Sequence, residues 1–145
     1  MAVELRPSVF DPGAELRRYQ DETLRARGKY GATTVFIGTM RDFNDSAQVR
    51  EMVLEHYPGM TEKHLHVISE EACRRWEILD TLIIHRVGKV LPDEPIVLVA
   101  VWSAHRAAAF EACRYLIEEL KTRAPFWKKE QSSQGARWVE HNTPG

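Results

Sequence analysis

The stretch TLIIHRVGKVLPDEPIVLVAVWSAHRAAAFEACRYLIEELKTRAP, residues 81–125, decides the fold. Two β-branched runs, residues 81–87 and 96–102, flank the turn Pro92-Asp93-Glu94-Pro95 and read as paired strands. Ser103 then opens a helix as its N-cap: Ala109, Phe110, Cys113, Leu116, Ile117 and Leu120 recur at helical spacing, and Pro125 stops it. Downstream, residues 126–130 and 136–140 read as strands around the five-residue loop Gln131-Ser132-Ser133-Gln134-Gly135. Upstream, Leu65, Ile68, Ala72 and Trp76 form a second helical stripe behind Thr61 as N-cap and the turn Pro58-Gly59, with a strand at 51–57 before it. Residues 39–50 are polar and read as a loop, expected to be mobile until a ligand arrives. A strand at 32–37 and a helix from Asp11-Pro12 to Gly28 complete the chain. Hairpins mixed with helical crossovers give an α+β fold: a single domain over residues 1–145, with largely antiparallel sheets and about three helices.

Composition narrows the function. In 145 residues, 43% are hydrophobic and 28% charged, which excludes disordered and fibrous classes. Twenty Lys+Arg against 21 Asp+Glu leave a net charge of -1, against a general polyanion binder, so any phosphate affinity must come from a local cluster. No apolar run reaches the roughly 20 residues of a membrane span, and the start MAVELRPSVF lacks the pattern of a signal peptide; a cytoplasmic protein that touches no membrane is expected. Cys73 and Cys113 fall in helical segments without metal-ligand spacing and read as buried free thiols; the scattered histidines, His64 and His66 included, suggest no metal site.

Three constellations carry possible chemistry. At Ser103-Ala104-His105-Arg106, a cation occupies a helix start where a capping box would place Glu or Gln. Free backbone N–H groups with His105 and Arg106 would seat a phosphate; the alternative is Arg106 turned back to Glu111. In Lys121-Thr122-Arg123-Ala124-Pro125-Phe126-Trp127-Lys128-Lys129-Glu130, cations interleave with aromatics, though Lys128 and Lys129 point to opposite faces of a strand and such clusters are often solvated edges. At Gly38-Thr39-Met40-Arg41-Asp42, a strand end supplies a forked donor, or merely an exposed ion pair with Asp42. Glu55-His56-Tyr57 is no triad, since His56 takes the other face, and His85 reads as a core histidine. GxSxG, P-loop and GxGxxG motifs do not occur.

Read together, Glu55-His-Tyr-Pro-Gly-Met60, His85-Arg-Val-Gly88, Ser103-Ala-His-Arg106, Phe110-Glu-Ala-Cys-Arg114, the run 120–130 and Arg137-Trp-Val-Glu140 resemble the large, catalytic subunits of molybdopterin synthase, the MoaE family. The likeness runs from about Gly31 to Glu140. It implies an α/β hammerhead type of fold and a sulfurtransferase of molybdenum cofactor biosynthesis, a homodimer within a heterotetramer. A small ubiquitin-like sulfur-carrier subunit would insert a C-terminal thiocarboxylate, and sulfur would pass twice to cyclic pyranopterin monophosphate to build the dithiolene. No resident cofactor or metal is implied, and no catalytic cysteine is needed. The chain's end, Thr143-Pro144-Gly145, marks it as acceptor, not carrier. The implied substrate contacts are Thr39, Met40, Arg41, His105, Arg106, Lys121, Lys128, Lys129 and Glu130, with Lys121 and Lys128 as the catalytic pair. Met40, where many relatives have Val, leaves Arg41 unaffected, whereas Trp102, bulkier than usual before Ser103, is expected to alter pocket shape.

One inference needs no family. His105 and Lys121 lie sixteen residues apart on one helix, so at 1.5 Å rise they stand roughly 24 Å apart. One small substrate cannot touch both, so a composite pocket at a twofold homodimer interface follows if both act on it. Two other readings compete: a noncatalytic module docking an acidic tail, and a nucleic-acid binder stacking on Phe126 and Trp127, the latter disfavoured by the net charge.

Overall fold

The structure, a computed structural model, describes residues 1–44, 47–132 and 135–139. Along the chain run β1 (Ala2–Arg6), α1 (Pro12–Glu22), β2 (Ala32–Thr39), β3 (Phe43–Asn44), β4 (Ala47–His56), α2 (Met60–Arg75), β5 (Asp80–Arg86), β6 (Gly88–Val90), β7 (Pro95–Ser103), α3 (Arg106–Arg123), β8 (Phe126–Ser132) and β9 (Gly135–Trp138). One sheet has the order β1-β5-β7-β2; only β1 and β5 pair in parallel among the described strands. The other runs β3-β4-β8-β9, with β6 on β4, and is antiparallel throughout. The α+β expectation holds.

At β5 and β7 the first sheet is covered on both faces, which explains the unbroken apolar run of β7. Val97, Val99 and Val101 face α2 and α3, packing on Leu65, Ile68, Ala72, Ala112 and Leu116. Leu98, Ala100 and Trp102 face α1, packing on Phe10, Tyr19 and Leu24. This is the two-residue alternation of a strand with no wet side, and each fully buried Val or Leu contributes about 1.5–3 kcal/mol. Trp102 stacks on Tyr19 at 5.2 Å and donates from Nε1 to Gln20. It is core on the α1 face.

Several sequence-based boundaries shift for physical reasons. β1 was not foreseen; it is short and becomes a strand by pairing with β5. α1 ends at Glu22 instead of reaching Gly28, because the N–H groups of Thr23 and Leu24 both bond the Tyr19 carbonyl and turn Leu24 into the core. The polar segment 39–50 contains β3 and the start of β4, drawn into strand pairing as Val49 is buried; residues 45 and 46 of that expected mobile loop lie outside the described residues. α2 starts at Met60 behind Gly59, while Thr61 Oγ accepts from Tyr57 N and donates to Pro125 O. β8 and β9 pair as far as Ser132 and Gly135, so the five-residue loop is shorter, and Glu140 lies outside the described residues. Cys113 is buried as expected, but Cys73 is exposed on α2. Among the described residues, no helix is long and apolar enough to cross a membrane.

Gly31 leads into β2 beside the turn that starts α3. Its N–H donates to Ser103 O at 3.0 Å, and a Cβ there would stand 2.4 Å from the Ala104 carbonyl oxygen. Gly31→Ala must therefore push the backbone that carries His105, and a loss of about 1–3 kcal/mol is expected in urea unfolding. A loss below about 0.5 kcal/mol would show that the turn yields freely.

Candidate active site

Lys121 lies in the last turns of α3 and Lys128 on β8, across the short connection at Ala124 and Pro125. Alternation along β8 turns Phe126, Lys128, Glu130 and Ser132 inward and leaves Trp127, Lys129 and Gln131 exposed. Lys128 and Lys121 come within hydrogen-bonding reach of each other. Burial first, and then the Lys121 ammonium, push the Lys128 amine down to about 8, while the Glu130 carboxylate works in the opposite direction. The site thus holds, beside Lys121, an amine that exchanges its proton close to neutral pH.

The floor under this pair is His85, the last residue but one of β5 and 3% exposed. Its ring lies flat on Phe126 at 3.9 Å, and Nδ1 stands 2.6 Å from the Arg86 carbonyl oxygen, to which Nδ1–H donates. Burial, helped by the charges of Lys121 and Lys128 and by His56, lowers its pKa to about 3 despite that bond, so the imidazole is neutral. The reading of His85 as a core histidine was right about burial and missed its place beside the lysines, which no local pattern announces.

Thr39, Met40 and Arg41 follow a register shift at the end of β2. Thr39 and Arg41 are exposed, and Arg41 forms no ion pair with Asp42. Met40 is 4% exposed and packs with Val49, Met52, Leu54 and Val90. Its N–H donates to Glu94 O at 3.0 Å, and its carbonyl accepts from Asp93 N at 2.9 Å. Met40 therefore serves as an anchor between two presented residues. That apolar cluster also ties the strand end to β4, whose Leu54 and Met52 pair with Lys128 and Glu130. Glu130, 5% exposed, stands 3.6 Å from an Arg137 guanidinium nitrogen. Lys129 faces the other way, 5.7 Å from the Trp138 ring centre, and does not join Lys121 and Lys128 within the chain.

His105 and Arg106 lie elsewhere. Ser103 is the last residue of β7, its hydroxyl donating to Glu77 O; His105 is the N-cap, without a side-chain cap bond, and Arg106 is the first helical residue. Both are exposed; Arg106 has no ion pair among the described residues, and Glu111 accepts from Trp76 Nε1 instead. β7 pairs Pro95 with Thr39 at one end and Ser103 with Ala32 at the other. Eight strand steps separate these ends by roughly 26 Å. α3 then runs back along the strand, its Cys113 thiol reaching Val99 O. Thr39, Arg41, Lys121 and Lys128 thus gather at one end of the chain, and His105 and Arg106 stand at the other. Among the described residues, no group of His, Cys, Asp and Glu is arranged to hold a metal ion.

Lys128 should titrate near 8 when followed by NMR of isotopically methylated lysines. Lys121→Met should move it upward, because a neighbouring cation is removed; an unchanged value would separate the two amines. An unfolded lysine titrates near 10.4, so between about 8 and 10.4 the unfolded state binds more protons and Lys128's contribution to stability rises with pH.

Comparison with known proteins identifies the family. The chain is 54% identical over 139 residues, 95% of its length and 76% of the relative's, to a molybdopterin synthase catalytic subunit from Ralstonia nicotianae. The solved molybdopterin biosynthesis MoaE protein from Burkholderia ambifaria is 47% identical, with a TM-score of 0.79 over 100% of this chain and 93% of that one. The crystal structure of molybdopterin synthase from Staphylococcus aureus is 32% identical, with a TM-score of 0.83 over 95% of this chain and 96% of that one. The family model described as MoaE protein matches residues 10–123, a span holding Arg41, His105, Arg106 and Lys121, and on these grounds the chain belongs to the MoaE family.

Proposed function

We propose that this chain is the catalytic subunit of a molybdopterin synthase, an enzyme of molybdenum cofactor biosynthesis, and that it acts as a sulfurtransferase. Its partner is a small sulfur-carrier subunit whose C-terminal thiocarboxylate delivers sulfur to cyclic pyranopterin monophosphate. The observation that carries the reaction type is the Lys121–Lys128 pair, with Lys128 lowered to about 8. An amine titrating near the working pH is matched to moving protons as sulfur leaves the carrier and bonds to the pterin. Lys121 beside it is matched to holding the thiocarboxylate or a developing oxyanion. Arg41, His105 and Arg106 suit the cyclic phosphate, with Thr39, Lys129 and Glu130 as further contacts and Met40 as the anchor behind them.

Helix α3 is unbroken from Arg106 to Arg123, so one chain cannot bring His105 and Lys121 to one pterin. The pocket is therefore composite, with the helix start given by a second copy in a homodimer that carries one carrier subunit on each chain. In support, the edge strand β2 exposes Val35, Phe36 and Ile37, and α3 exposes Phe110, an apolar surface of the kind that subunit association covers.

Incubation with thiocarboxylated carrier and cyclic pyranopterin monophosphate should yield dithiolene product, and Lys128→Ala should lower the rate by about 100-fold or more. Tight binding of both partners without product would favour a noncatalytic module. Mixing His105→Ala with Lys121→Ala chains should restore about a quarter of the parent activity, since half the dimers are mixed and each has one intact pocket. Absence of rescue in demonstrably mixed dimers would place the whole site on one chain.

A further inference from the structure

Arg86 is an expensive side chain to bury. It is 3% exposed, and its Nε and Nη1 have no hydrogen-bond partner among the described residues. Nη2 donates to Lys89 O, and Nη1 stands 3.6 Å from Glu94 Oε1, an ion pair too long for a hydrogen bond. Apolar side chains of similar volume often stabilise a core as well as such a pair, so stability alone is a poor reason for it. Nor do the unbonded donors form a ligand seat, because both are closed off from solvent.

What the pair holds is the connection between β6 and β7. Glu94 Oε1 also accepts from Leu91 N at 2.8 Å, and Glu94 N donates to Leu91 O at 3.1 Å. Asp93 within this turn has φ 72°, a left-handed conformation that a non-glycine residue keeps only when its surroundings enforce it. The turn so fixed presents the Glu94 carbonyl and the Asp93 N–H to Met40, the residue between Thr39 and Arg41.

We propose that Arg86 and Glu94 are positioning residues for the substrate: by fixing the turn at 91–94 they clamp the Met40 backbone and so aim Thr39 and Arg41 at the anionic substrate. This rests on the reading of Arg41 as a substrate contact. The clamp acts on binding, and the Lys121–Lys128 pair is outside it. Arg86→Met, Glu94→Gln and the double variant, assayed in the complex with the carrier, should raise KM for cyclic pyranopterin monophosphate about tenfold and keep kcat within about twofold. The double variant should be no worse than either single one, because the two residues form one unit. Amide exchange at Met40 should accelerate about tenfold or more while that at Val99 in the core stays unchanged. Where a single charge left alone unfolds the chain, the double variant, which removes both charges, is the deciding one. Parent KM in a folded double variant overturns the positioning role, whether or not Met40 exchange accelerates. A fall in kcat and melting temperature in parallel with the rise in KM overturns it as well, since that is a structural defect only. Arg41→Ala, assayed alongside, separates the two ideas: parent KM there removes the reading of Arg41, and Met40 exchange still decides whether the clamp exists.

Discussion

A strand with no wet side organises this molecule. β7 is dry on both faces, so α1 must cover one and α2 with α3 the other, and the two-residue alternation of valines against Leu98, Ala100 and Trp102 leaves no freedom in which residue faces which layer. The strand's length then becomes the length scale of function. Its start pairs with Thr39 and adjoins the turn that grips Met40; its end delivers His105 and Arg106 at the start of α3. Because α3 returns along the same strand, Lys121 comes back to the first end.

At that end the governing fact is burial of an amine beside a second lysine. Burial, and then the neighbouring Lys121, disfavour the charged form of Lys128 and push its amine down to about 8. The neutral His85 beneath them, stacked on Phe126 and bonded to the Arg86 carbonyl, adds no third charge. A cysteine nucleophile is not required, because in the proposed reaction sulfur arrives on the carrier. That leaves Cys113 as core and Cys73 as a surface thiol on α2.

Support for the site is distributed. The cluster of Met40, Val49, Met52, Leu54 and Val90 joins the end of β2 to the sheet that carries Lys128 and Glu130, and Thr61 Oγ bonds the Pro125 carbonyl at the bend between Lys121 and Lys128. Each contact is ordinary in strength, about 1 kcal/mol for a typical hydrogen bond. Together they hold groups from two strands and a helix in one place.

The sequence by itself determined the elements with strong periodicity: the strands around Pro92 to Pro95, the long helix with its stripe from Ala109 to Leu120, the α+β class, and, through its motifs, the candidate residues and the span separating His105 from Lys121. These are legible because side-chain period and turn chemistry are local. Only the tertiary structure decided that Ala2–Arg6 is a strand, that α1 stops at Glu22 so that Leu24 can be buried, that Met40 is an anchor, and that His85 and Arg86 lie behind the site. The reason is the same in each case: burial and partner strands come from residues far apart in the chain, and no local pattern encodes them.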